Sequence, residues 1–536
     1  MENKNYYITT PIYYPNGKFH IGTAYTTILA DMITRYKKQR GFDTFFTTGL
    51  DEHGQKIQEA AEKAGKDPQE FVDGMAEYAK DIWKKLDIDY DYFVRTTNNT
   101  HEEIVQKLFT KFLENGDIYK GEYEGYYCVS CETFFTKTQL EDGKCPDCGK
   151  DVRLMKEETY FFNMKKYEKR LLEYYEEHPE FIVPEARKNE LVNSFLKPGL
   201  EDLSITRTSF DWGVKVPGDE KHVIYVWLDA LANYITSLGY MTENDESFKK
   251  YWPCDVHIVG KDIIRFHAIY WPIFLMALDI PLPKQIFAHT WFVMKDGKMS
   301  KSKGNVIYPT QITEKYDVDV LRYILLRELP YNHDGVFSPE GFVERYNTDL
   351  CNDFSNLIHR TIGMIKKYDL SISKEESEKR LQEGKYIISQ IDKNLISNIS
   401  GIIFDFEDLM DEFKISEAIE KLWTGISRIN KYIDERKPWE LYKEGNKDEL
   451  YTFSYVLVSE IKKMNMYIMP IVPETYNIVN EIFNFKEKDL KFVRDNTILN
   501  PIEIMPNLDA KPIYNRLDET DVKYLQDIIS SNENNG

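Results

Sequence analysis

Three residues at the entrance of a helical segment could hold a nucleotide. His20-Ile21-Gly22 follows a Pro-Asn-Gly turn, and Thr23 begins a run with helical spacing. A histidine there can donate to phosphate oxygens, and glycine lets an adenine ring lie against the backbone. The alternative is that the histidine caps or packs against the helix, which is the commoner role for such a residue. Thr23 can also cap the helix through its hydroxyl while reaching a phosphate oxygen.

A second segment carries positive charge that suits a triphosphate. "KDGKMSKSKGN", residues 295–305, places Lys298, Lys301 and Lys303 around two serines and a glycine. A solvated lysine-rich loop is the ordinary interpretation of such a run alone. Two phosphate-binding patterns in one α/β chain nevertheless favour a nucleotide site.

Four cysteines have the spacing of a metal site. Cys128 and Cys131 form one C-x2-C pair, Cys145 and Cys148 form another, and thirteen residues separate the pairs. Two such pairs predict a tetrahedral zinc ion held by four thiolates, a closed shell that supports the fold and performs no chemistry. The alternatives are two unrelated thiol pairs or a redox motif. The remaining two cysteines are interpreted as small buried hydrophobic residues.

The composition is that of a globular protein. The 536 residues are 42% hydrophobic and 14% aromatic, which argues against disorder, and their number allows several compact units. The amino terminus does not resemble a secretion signal, and the longest apolar run is too short for a membrane span, so we expect a cytoplasmic protein. A net charge of -20 argues against general binding of polyanions but allows a specific nucleic-acid partner.

Alternating strand and helix patterns must position these motifs. "YYITTPIYY" has strand composition, a helical pattern follows over residues 23–40, and "DTFFTTG" predicts a second strand. After an interruption at residues 115–220 the alternation resumes with strands predicted in "HVIYVW", "DVHIVG" and "QIFAHTWFVM". The pattern predicts a Rossmann-like, doubly wound parallel α/β sheet split by a zinc-ribbon insertion.

The carboxyl-terminal part has a different pattern. From Phe342 onward glycine is rare and apolar residues recur with helical spacing, which predicts an all-α helical bundle domain. The last residues, "SSNENNG", are expected to be disordered.

Together these motifs resemble those of the class I aminoacyl-tRNA synthetases. The signatures of that class are His-Ile-Gly-His and Lys-Met-Ser-Lys-Ser; "HIGT" differs at its fourth position, whereas "KMSKS" matches in full. The blocks that narrow the resemblance to the methionyl-tRNA synthetase family are the cysteine insertion, "TTPIYYPNGKFHIG", "TGLDEHGQKI", "YVWLDALANYI" and "VGKDIIRFHAIYWP".

The resemblance implies a division of the chain and a reaction. The expected parts are a first half of the catalytic domain at 1–114, the insertion with its zinc knuckle at 115–220, the second half of the catalytic domain at 221–290, the KMSKS loop with a stem-contact region at 291–345, and a helical anticodon-binding domain at 346–536. The implied reaction is activation of L-methionine by ATP to methionyl-adenylate and transfer to tRNA(Met), both elongator and initiator. Activation moves no proton, so positioning and positive charge should carry it.

Residues that match the family's ATP site follow from the same resemblance. His20, Lys298 and Lys301 would supply charge or donors at the phosphates as the catalytic groups, and Gly22 would pack on adenine. The full implied ATP-binding set is His20, Gly22, Thr23, Gly260, Asp262, Lys298 and Lys301. Mg2+ would accompany ATP.

The methionine site implied by the resemblance needs an anion and an apolar slot. Asp51 would bind the ammonium group. The residues that match the side-chain pocket are Ile12, Tyr14, Trp227, Ala230, Tyr234, Ile263, His267 and Trp271. Ile263, His267 and Trp271 are spaced i, i+4, i+8 and share one face of an ideal helix. Periodicity alone cannot separate a pocket from core packing, and without the resemblance core packing is the favoured interpretation of these aromatic residues.

For tRNA, the resemblance assigns the anticodon to the helical domain. Asn356 and Arg360 would read base edges, and Trp439, after Pro438, would stack an unpaired base. A surface ion pair and a core tryptophan are the plainer alternatives. We also expect a monomer, because the chain stops soon after the helical region.

Other functions remain open from the residues alone. Another class I synthetase would share both signatures, and a nucleotidylyltransferase can use a similar histidine-glycine ATP site but requires neither the zinc insertion nor the helical domain. A nonenzymatic zinc-ribbon RNA-binding protein would need a more basic chain.

Overall fold

The computed structural model describes residues 4–129, 133–135, 137–146, 148–294, 297–298, 306–486 and 500–535. The chain divides into two compact units. The first unit contains Met1–Phe19 and Phe42–His289, and the second contains His20–Gly41 and Thr290–Gly536.

Strands and helices alternate along the first part of the chain and give way to helices. The strands β1 to β15 are Asn5–Tyr13, Asp43–Leu50, Tyr92–Arg95, Ile118–Cys128, Thr133–Phe135, Arg153–Phe162, Ile182–Val183, Leu203–Ser204, Thr206–Arg207, Val223–Ile224, Val256–Gly260, Gln285–His289, Phe292–Met294, Gly297–Lys298 and Gly335–Val336. The α-helices α1 to α20 are Ile21–Gln39, Gln55–Lys63, Pro68–Lys85, Asn99–Glu114, Lys165–Glu177, Glu185–Leu191, Val226–Thr236, Glu246–Tyr251, Trp271–Leu278, Pro309–Thr313, Val318–Glu328, Pro339–Arg345, Asn356–Tyr368, Lys374–Gln382, Gln390–Asp411, Ile415–Arg436, Pro438–Lys443, Lys447–Ile468, Pro473–Phe483 and Glu519–Asn535.

A six-stranded parallel sheet forms the centre of the first unit. Its order is β3-β2-β1-β11-β12-β7, and each neighbouring pair is parallel. Strand β11 follows β3 only after the long interruption, yet it pairs directly with β1. The predicted doubly wound sheet, split by an insertion, is therefore confirmed.

The interruption contains its own antiparallel sheet, of order β5-β4-β6-β8. It also supplies β7 to the edge of the main sheet, and Leu171, Tyr175 and Phe181 to the main core. The later part of the interruption thus shares the core of the first unit. The predicted domain boundaries stay predictions.

One predicted strand of the parallel sheet is wrong. "HVIYVW" forms only the short β10, which pairs antiparallel with β9, and helix α7 already begins at Val226. The apolar run is buried by packing and not by membership of the sheet, since Val223, Ile224 and Tyr225 are all buried. "QIFAHTWFVM" likewise divides into β12 and β13.

The second unit is mainly helical, which confirms the predicted bundle. A fully buried ion pair connects two of its helices: Arg322 Nη2 on α11 lies 2.6 Å from Asp31 Oδ2 on α1. Arg322 also donates to the carbonyls of Pro470 and Ile471, so the buried guanidinium has several acceptors. The predicted disorder of the tail is wrong up to Asn535, because the last helix continues to that residue.

In the described part of the chain no helix is long and apolar enough to cross a membrane.

Candidate functional site

The carboxyl ends of three neighbouring strands meet at one edge of the main sheet. Ile12 and Tyr13 of β1 are in register with Gly49 and Leu50 of β2, and the backbone N–H of Asp51 donates to the Tyr13 carbonyl at 3.0 Å. Asp51 is buried. Ile12 and Tyr14 therefore lie beside the strand end that carries Asp51, at the edge where open α/β sheets bind ligands.

Gly260 ends β11 at the same edge. A Cβ atom on Gly260 would lie 2.5 Å from Oδ1 of Asp262, so a larger residue would require that carboxylate to turn away. Asp262 is exposed in the following 3-10 turn, Lys261–Ile263. The predicted ribose-binding pair is thus adjacent.

The helix expected after Ile263 has an irregular start. A π-helical turn at Phe266–Tyr270 precedes α9, so the ideal i, i+4, i+8 spacing does not describe the backbone here. In this turn the Trp271 N–H bonds to the Phe266 carbonyl, five residues back. The Nδ1 of His267 lies 2.9 Å from the carbonyl oxygen of Ile263, one helical turn earlier in the chain.

That hydrogen bond sets which ring nitrogen of His267 carries the proton, and burial sets its charge. Burial lowers the pKa of His267 to about 4, so the ring is neutral at pH 7. With its proton on Nδ1, the ring accepts at Nε2 from the Tyr234 hydroxyl, 2.7 Å away. The tyrosine proton is therefore committed to His267, and burial raises the pKa of Tyr234 well above its ordinary value.

A second buried histidine continues the aromatic cluster. The Trp271 indole N–H donates to His257 Nε2 at 3.3 Å, and His257 Nδ1 then donates to the Thr9 hydroxyl at 2.7 Å. Burial lowers the pKa of His257 well below its ordinary value, with a smaller contribution from His267, so this ring is also neutral. Its ring lies 4.2 Å from that of Tyr234.

Trp227 closes another side of the cluster. Its ring stacks on Phe266 with centroids 3.7 Å apart and lies edge-on to His267 at 6.1 Å. Ala230 is buried on the same helix, α7, between Trp227 and Tyr234 in sequence. The structure therefore brings Trp227, Tyr234, His267 and Trp271 together as an uncharged aromatic wall.

Sequence reasoning missed a charged network on helix α7, which also carries Trp227 and Tyr234. Asp229 on α7 is fully buried and accepts from two histidines, His53 Nδ1 at 2.7 Å and His101 Nε2 at 2.8 Å. Burial opposes its ionisation, yet the two histidines hold the pKa of Asp229 at about 2. Burial likewise opposes the charge of His53, but Asp229 and Glu102 raise its pKa to about 10.

This network ties the segment after β2 to helix α7. His53 follows Asp51 by two residues, and Asp229 lies between Trp227 and Ala230. The sequence contained a signal for this network. His53 lies in "DEHG", which was matched for Asp51, and Asp229 lies in "WLDA", which was matched for Trp227 and Ala230.

In the second unit, His20 caps helix α1. Its Nδ1 accepts from the Gly22 backbone N–H at 3.0 Å, so in this cap the ring carries its proton on Nε2. The suggestion that Thr23 caps the helix is wrong, because Thr23 lies inside the first turn. Ile21 N–H donates to the Ile307 carbonyl at 2.9 Å, which joins the start of α1 to the segment that follows the lysine loop.

The lysine loop is described in part. Lys298 ends the short strand β14, which pairs antiparallel with β13. Lys301 and Lys303 lie outside the described residues. Their assignment to ATP phosphates stays a prediction.

The cysteines gather as a metal site would require. The sulfur atoms of Cys128, Cys145 and Cys148 all lie within 4.8 Å of one another, and those of Cys128 and Cys148 are 3.5 Å apart. Cys128 and Cys145 are buried against Phe135 in a small core of their own. Three convergent thiols suit a zinc ion; Cys131, the fourth predicted ligand, lies outside the described residues.

The predicted anticodon residues lie on two helices of the second unit. Asn356 is exposed on α13, and Arg360 Nη2 on that helix lies 3.0 Å from Asp434 Oδ1, near the end of α16. Pro438 and Trp439 begin the next helix; Pro438 is buried and Trp439 is 38% exposed.

Comparisons with known proteins find relatives that match most of the chain. A family model described as tRNA synthetases class I (M) matches residues 6–153 and 149–362. A methionine–tRNA ligase of Caldanaerobacter subterraneus subsp. tengcongensis is 52% identical over 95% of this chain and 80% of its own length. The methionine–tRNA ligase of Bacillus subtilis is 50% identical over 98% of this chain and 80% of its own.

Solved structures of similar fold include a ligand complex. Mycobacterium tuberculosis methionyl-tRNA synthetase in complex with methionyl-adenylate superposes with a TM-score of 0.86 at 38% identity, covering 94% of this chain and 97% of that one. The free form of the same enzyme gives a TM-score of 0.81 at 34% identity, over 96% and 99% of the two chains.

Proposed function

Because this chain belongs to the methionyl-tRNA synthetases, a family of class I aminoacyl-tRNA synthetases, we propose that it activates L-methionine with ATP and transfers it to the 3' end of tRNA(Met). In the first step a methionine carboxylate oxygen attacks the α-phosphorus of ATP, forming methionyl-adenylate and releasing pyrophosphate. In the second, a hydroxyl of the terminal tRNA ribose attacks the activated carbonyl and AMP leaves. Initiator and elongator tRNA are both expected substrates.

The observation that carries the methionine assignment is the neutral aromatic wall around Tyr234. Burial keeps both histidines uncharged, and their hydrogen bonds fix their orientation, so the wall presents aromatic faces without a formal charge. A thioether gains about 0.3 to 1.5 kcal/mol from each such contact, whereas a charged or strongly polar side chain would lose its hydration there.

The rest of the methionine molecule needs a charged partner. Asp51 is buried at the same sheet edge and is the carboxylate that we assign to the ammonium group. Ile12, Tyr14, Ala230 and Ile263 complete the proposed pocket. Electrostatic pairing of a buried carboxylate with the ammonium would hold the substrate carboxylate in place for attack.

ATP would be held by groups from both motifs. We assign His20, Lys298 and Lys301 to the phosphates, Gly22 and Thr23 to the nucleotide near the start of α1, and Gly260 with Asp262 to the ribose. Mg2+ would enter with ATP and neutralise phosphate charge. Positive charge and preorganised donors would stabilise the α-phosphate under attack and the leaving pyrophosphate, and activation needs no general base because the attacking carboxylate carries no proton.

Two further assignments concern the structural zinc site and the recognition of tRNA. Cys128, Cys131, Cys145 and Cys148 would hold one structural Zn2+, whose filled thiolate shell leaves no position for a reacting water. Asn356, Arg360, Pro438 and Trp439 would recognise the anticodon. The monomeric state stays a prediction, which light scattering of the purified protein measures.

ATP–pyrophosphate exchange across a panel of amino acids tests the substrate. We expect exchange that depends on L-methionine, with weak activity for homocysteine, because a hydrophobic pocket gains only about 1 to 3 kcal/mol from one methylene. Exchange driven by isoleucine or valine would indicate another class I synthetase. Exchange that needs no amino acid would favour a nucleotidylyltransferase.

The lysine loop has its own test in the same assay. Lys301→Ala should lose about 3 to 4 kcal/mol of transition-state stabilisation, as for removal of one preorganised donor. Near-normal exchange in this variant would contradict the phosphate assignment. Lys221→Ala, a change at an exposed lysine that pairs with Glu158 in the first unit, is the matched control and should leave exchange unchanged.

A further inference from the structure

Arg265 lies beside the aromatic wall and is not among the residues assigned so far to methionine, ATP, zinc or tRNA. It immediately precedes the π-turn Phe266–Tyr270 and is partly buried. Its guanidinium carbon lies 5.0 Å from the ring centre of Phe266 and 5.8 Å from that of Tyr270. Arg265 therefore packs on the same aromatic ring that stacks on Trp227.

The other side of Arg265 faces the cysteine-containing insertion. The guanidinium carbon is 5.9 Å from the ring of Phe135 and 5.1 Å from that of Phe195. Phe135 belongs to the small core formed with Cys128 and Cys145. One planar cation thus lies among four aromatic rings, two from the insertion and two from the turn that carries His267.

We infer that Arg265 is a positioning residue. It holds the cysteine knuckle, the small core formed by Cys128, Cys145 and Phe135, against the stacked rings of Phe266 and Trp227. It thereby sets the affinity for methionine. The inference deepens the proposed function and rests on it, because Trp227 is taken as a wall of the methionine pocket. Phe266 and Trp227 lie 3.7 Å apart and nearly parallel, so a displaced Phe266 displaces the wall.

An arginine suits this place better than a lysine. A guanidinium is flat and can lie against several aromatic faces at once, whereas an ammonium is a strongly hydrated point charge. The four rings described around Arg265 belong to none of the residues assigned to methionine or ATP. The loss of Arg265 should therefore change methionine binding and leave the chemical step nearly intact.

The test compares Arg265→Met with wild type in methionine-dependent ATP–pyrophosphate exchange and in methionine binding by calorimetry. Methionine replaces the cation and keeps the length of the side chain. The KM and the Kd for methionine should each rise roughly 5- to 30-fold, the range expected for a partly desolvated cation–π contact. The kcat and the KM for ATP should change less than about 3-fold, and Arg265→Lys should fall between the two proteins.

Arg187→Met is the matched control. Arg187 lies in the insertion that also contains Phe135 and Phe195, and the partner described for its guanidinium is Glu190. It should keep the wild-type KM for methionine. An Arg265→Met protein whose methionine KM and Kd stay within 2-fold of wild type, or whose kcat falls while KM holds, would overturn the inference.

Phe135→Leu tests whether the knuckle is the partner. Its methionine KM should rise, and the double variant with Arg265→Met should be little worse than Arg265→Met alone, because both changes break one contact. An unchanged KM in Phe135→Leu, whatever its zinc content, or independent multiplication of the two effects, would overturn the role of the knuckle. A wild-type protein without methionine-dependent exchange would instead refute the proposed function.

Discussion

His20 and Gly22 are spaced by the geometry of a helix cap. The His20 ring folds back over the first turn to accept from the Gly22 N–H, and a Cβ on residue 22 would lie 2.8 to 2.9 Å from that ring. The position of the His20 ring therefore requires glycine at residue 22, independently of any contact with adenine. The cap also leaves a neutral ring with an Nε2 proton, which is the donor that a phosphate oxygen would need.

Three substitutions at this turn separate the cap from the phosphate role. His20→Ala loses both and should lower the kcat of pyrophosphate exchange about 100- to 1,000-fold, more than Thr23→Ala. His20→Asp restores a good cap without offering a donor, so it should regain helix stability of about 0.5 to 2 kcal/mol but not activity. Kinetics and thermal unfolding measure the two effects; an active His20→Asp enzyme would show that only the cap matters.

His53 is the residue at which buried charge gives the fold a pH dependence. Its pKa is about 10 in the folded protein against an ordinary value of 6.5, so the folded state keeps a proton that the unfolded state releases. The groups that face it are Asp229 and Glu102, with Glu52 nearby. This stabilisation is complete below pH 6.5 and is lost as pH rises toward 10.

The stability advantage of wild type over His53→Gln should therefore shrink between pH 7 and pH 10, by at most about 1.4 kcal/mol per pH unit. Chemical unfolding can be followed by tryptophan fluorescence, since Trp212 lies 5.6 Å from the His53 ring. His178→Gln, at an exposed surface histidine, should show no such trend. A pH-independent difference for His53→Gln would mean that this histidine is not charged in the fold.

At the scale of elements, the sequence predicted the sheet well because parallel strands are buried on both faces and have a strong apolar signal. "DVHIVG" and "DTFFTTG" became β11 and β2. The same signal misled at "HVIYVW", because burial alone does not say whether an extended segment joins the sheet. The carboxyl-edge placement of Asp51 followed from topology and was predictable.

The π-turn was not predictable from periodicity. An ideal helix explains why Ile263, His267 and Trp271 were grouped, but a π-turn at Phe266–Tyr270 interrupts that spacing between His267 and Trp271. Likewise, the Asp229 network joins residues far apart in the chain. Such features depend on tertiary contacts, and a single sequence carries only the residue types.

The cysteine knuckle is a small element whose order should depend on metal. Cys148→Ser should reduce bound zinc from about one ion per chain to near zero, because a hydroxyl is a poor substitute for a thiolate ligand. The core around Phe135, Leu140 and Val152 should then become sensitive to protease, while the main sheet persists.

Elemental analysis and limited proteolysis measure these two outcomes. Cys351→Ser, a change at a cysteine of the second unit, should keep both the zinc and the protease resistance. A Cys148→Ser protein that retains a full complement of zinc would show that the metal does not use this thiol.

For the whole molecule, the net charge of -20 must be reconciled with a tRNA partner. Two basic groups in or beside the proposed anticodon set have acidic partners: Arg360 pairs with Asp434, and Lys437 with Glu440 at 3.3 Å. These pairs reduce the positive charge that the two residues offer to phosphates. Discrimination should come mainly from stacking and base contacts, which local side chains provide without a basic surface.

Trp439→Ala tests whether tRNA recognition is separate from methionine activation, because Trp439 and the aromatic wall lie in different units of the chain. Loss of one base stack is worth about 1 to 3 kcal/mol, so kcat/KM for tRNA(Met) should fall roughly 5- to 150-fold for both initiator and elongator tRNA. Pyrophosphate exchange, which needs no tRNA, should not change. Phe404→Ala removes another aromatic ring of the second unit, 64% exposed, and should leave both assays unchanged. Equal losses in exchange and aminoacylation for Trp439→Ala would mean that this tryptophan supports the fold, since a recognition residue affects only the step that uses tRNA.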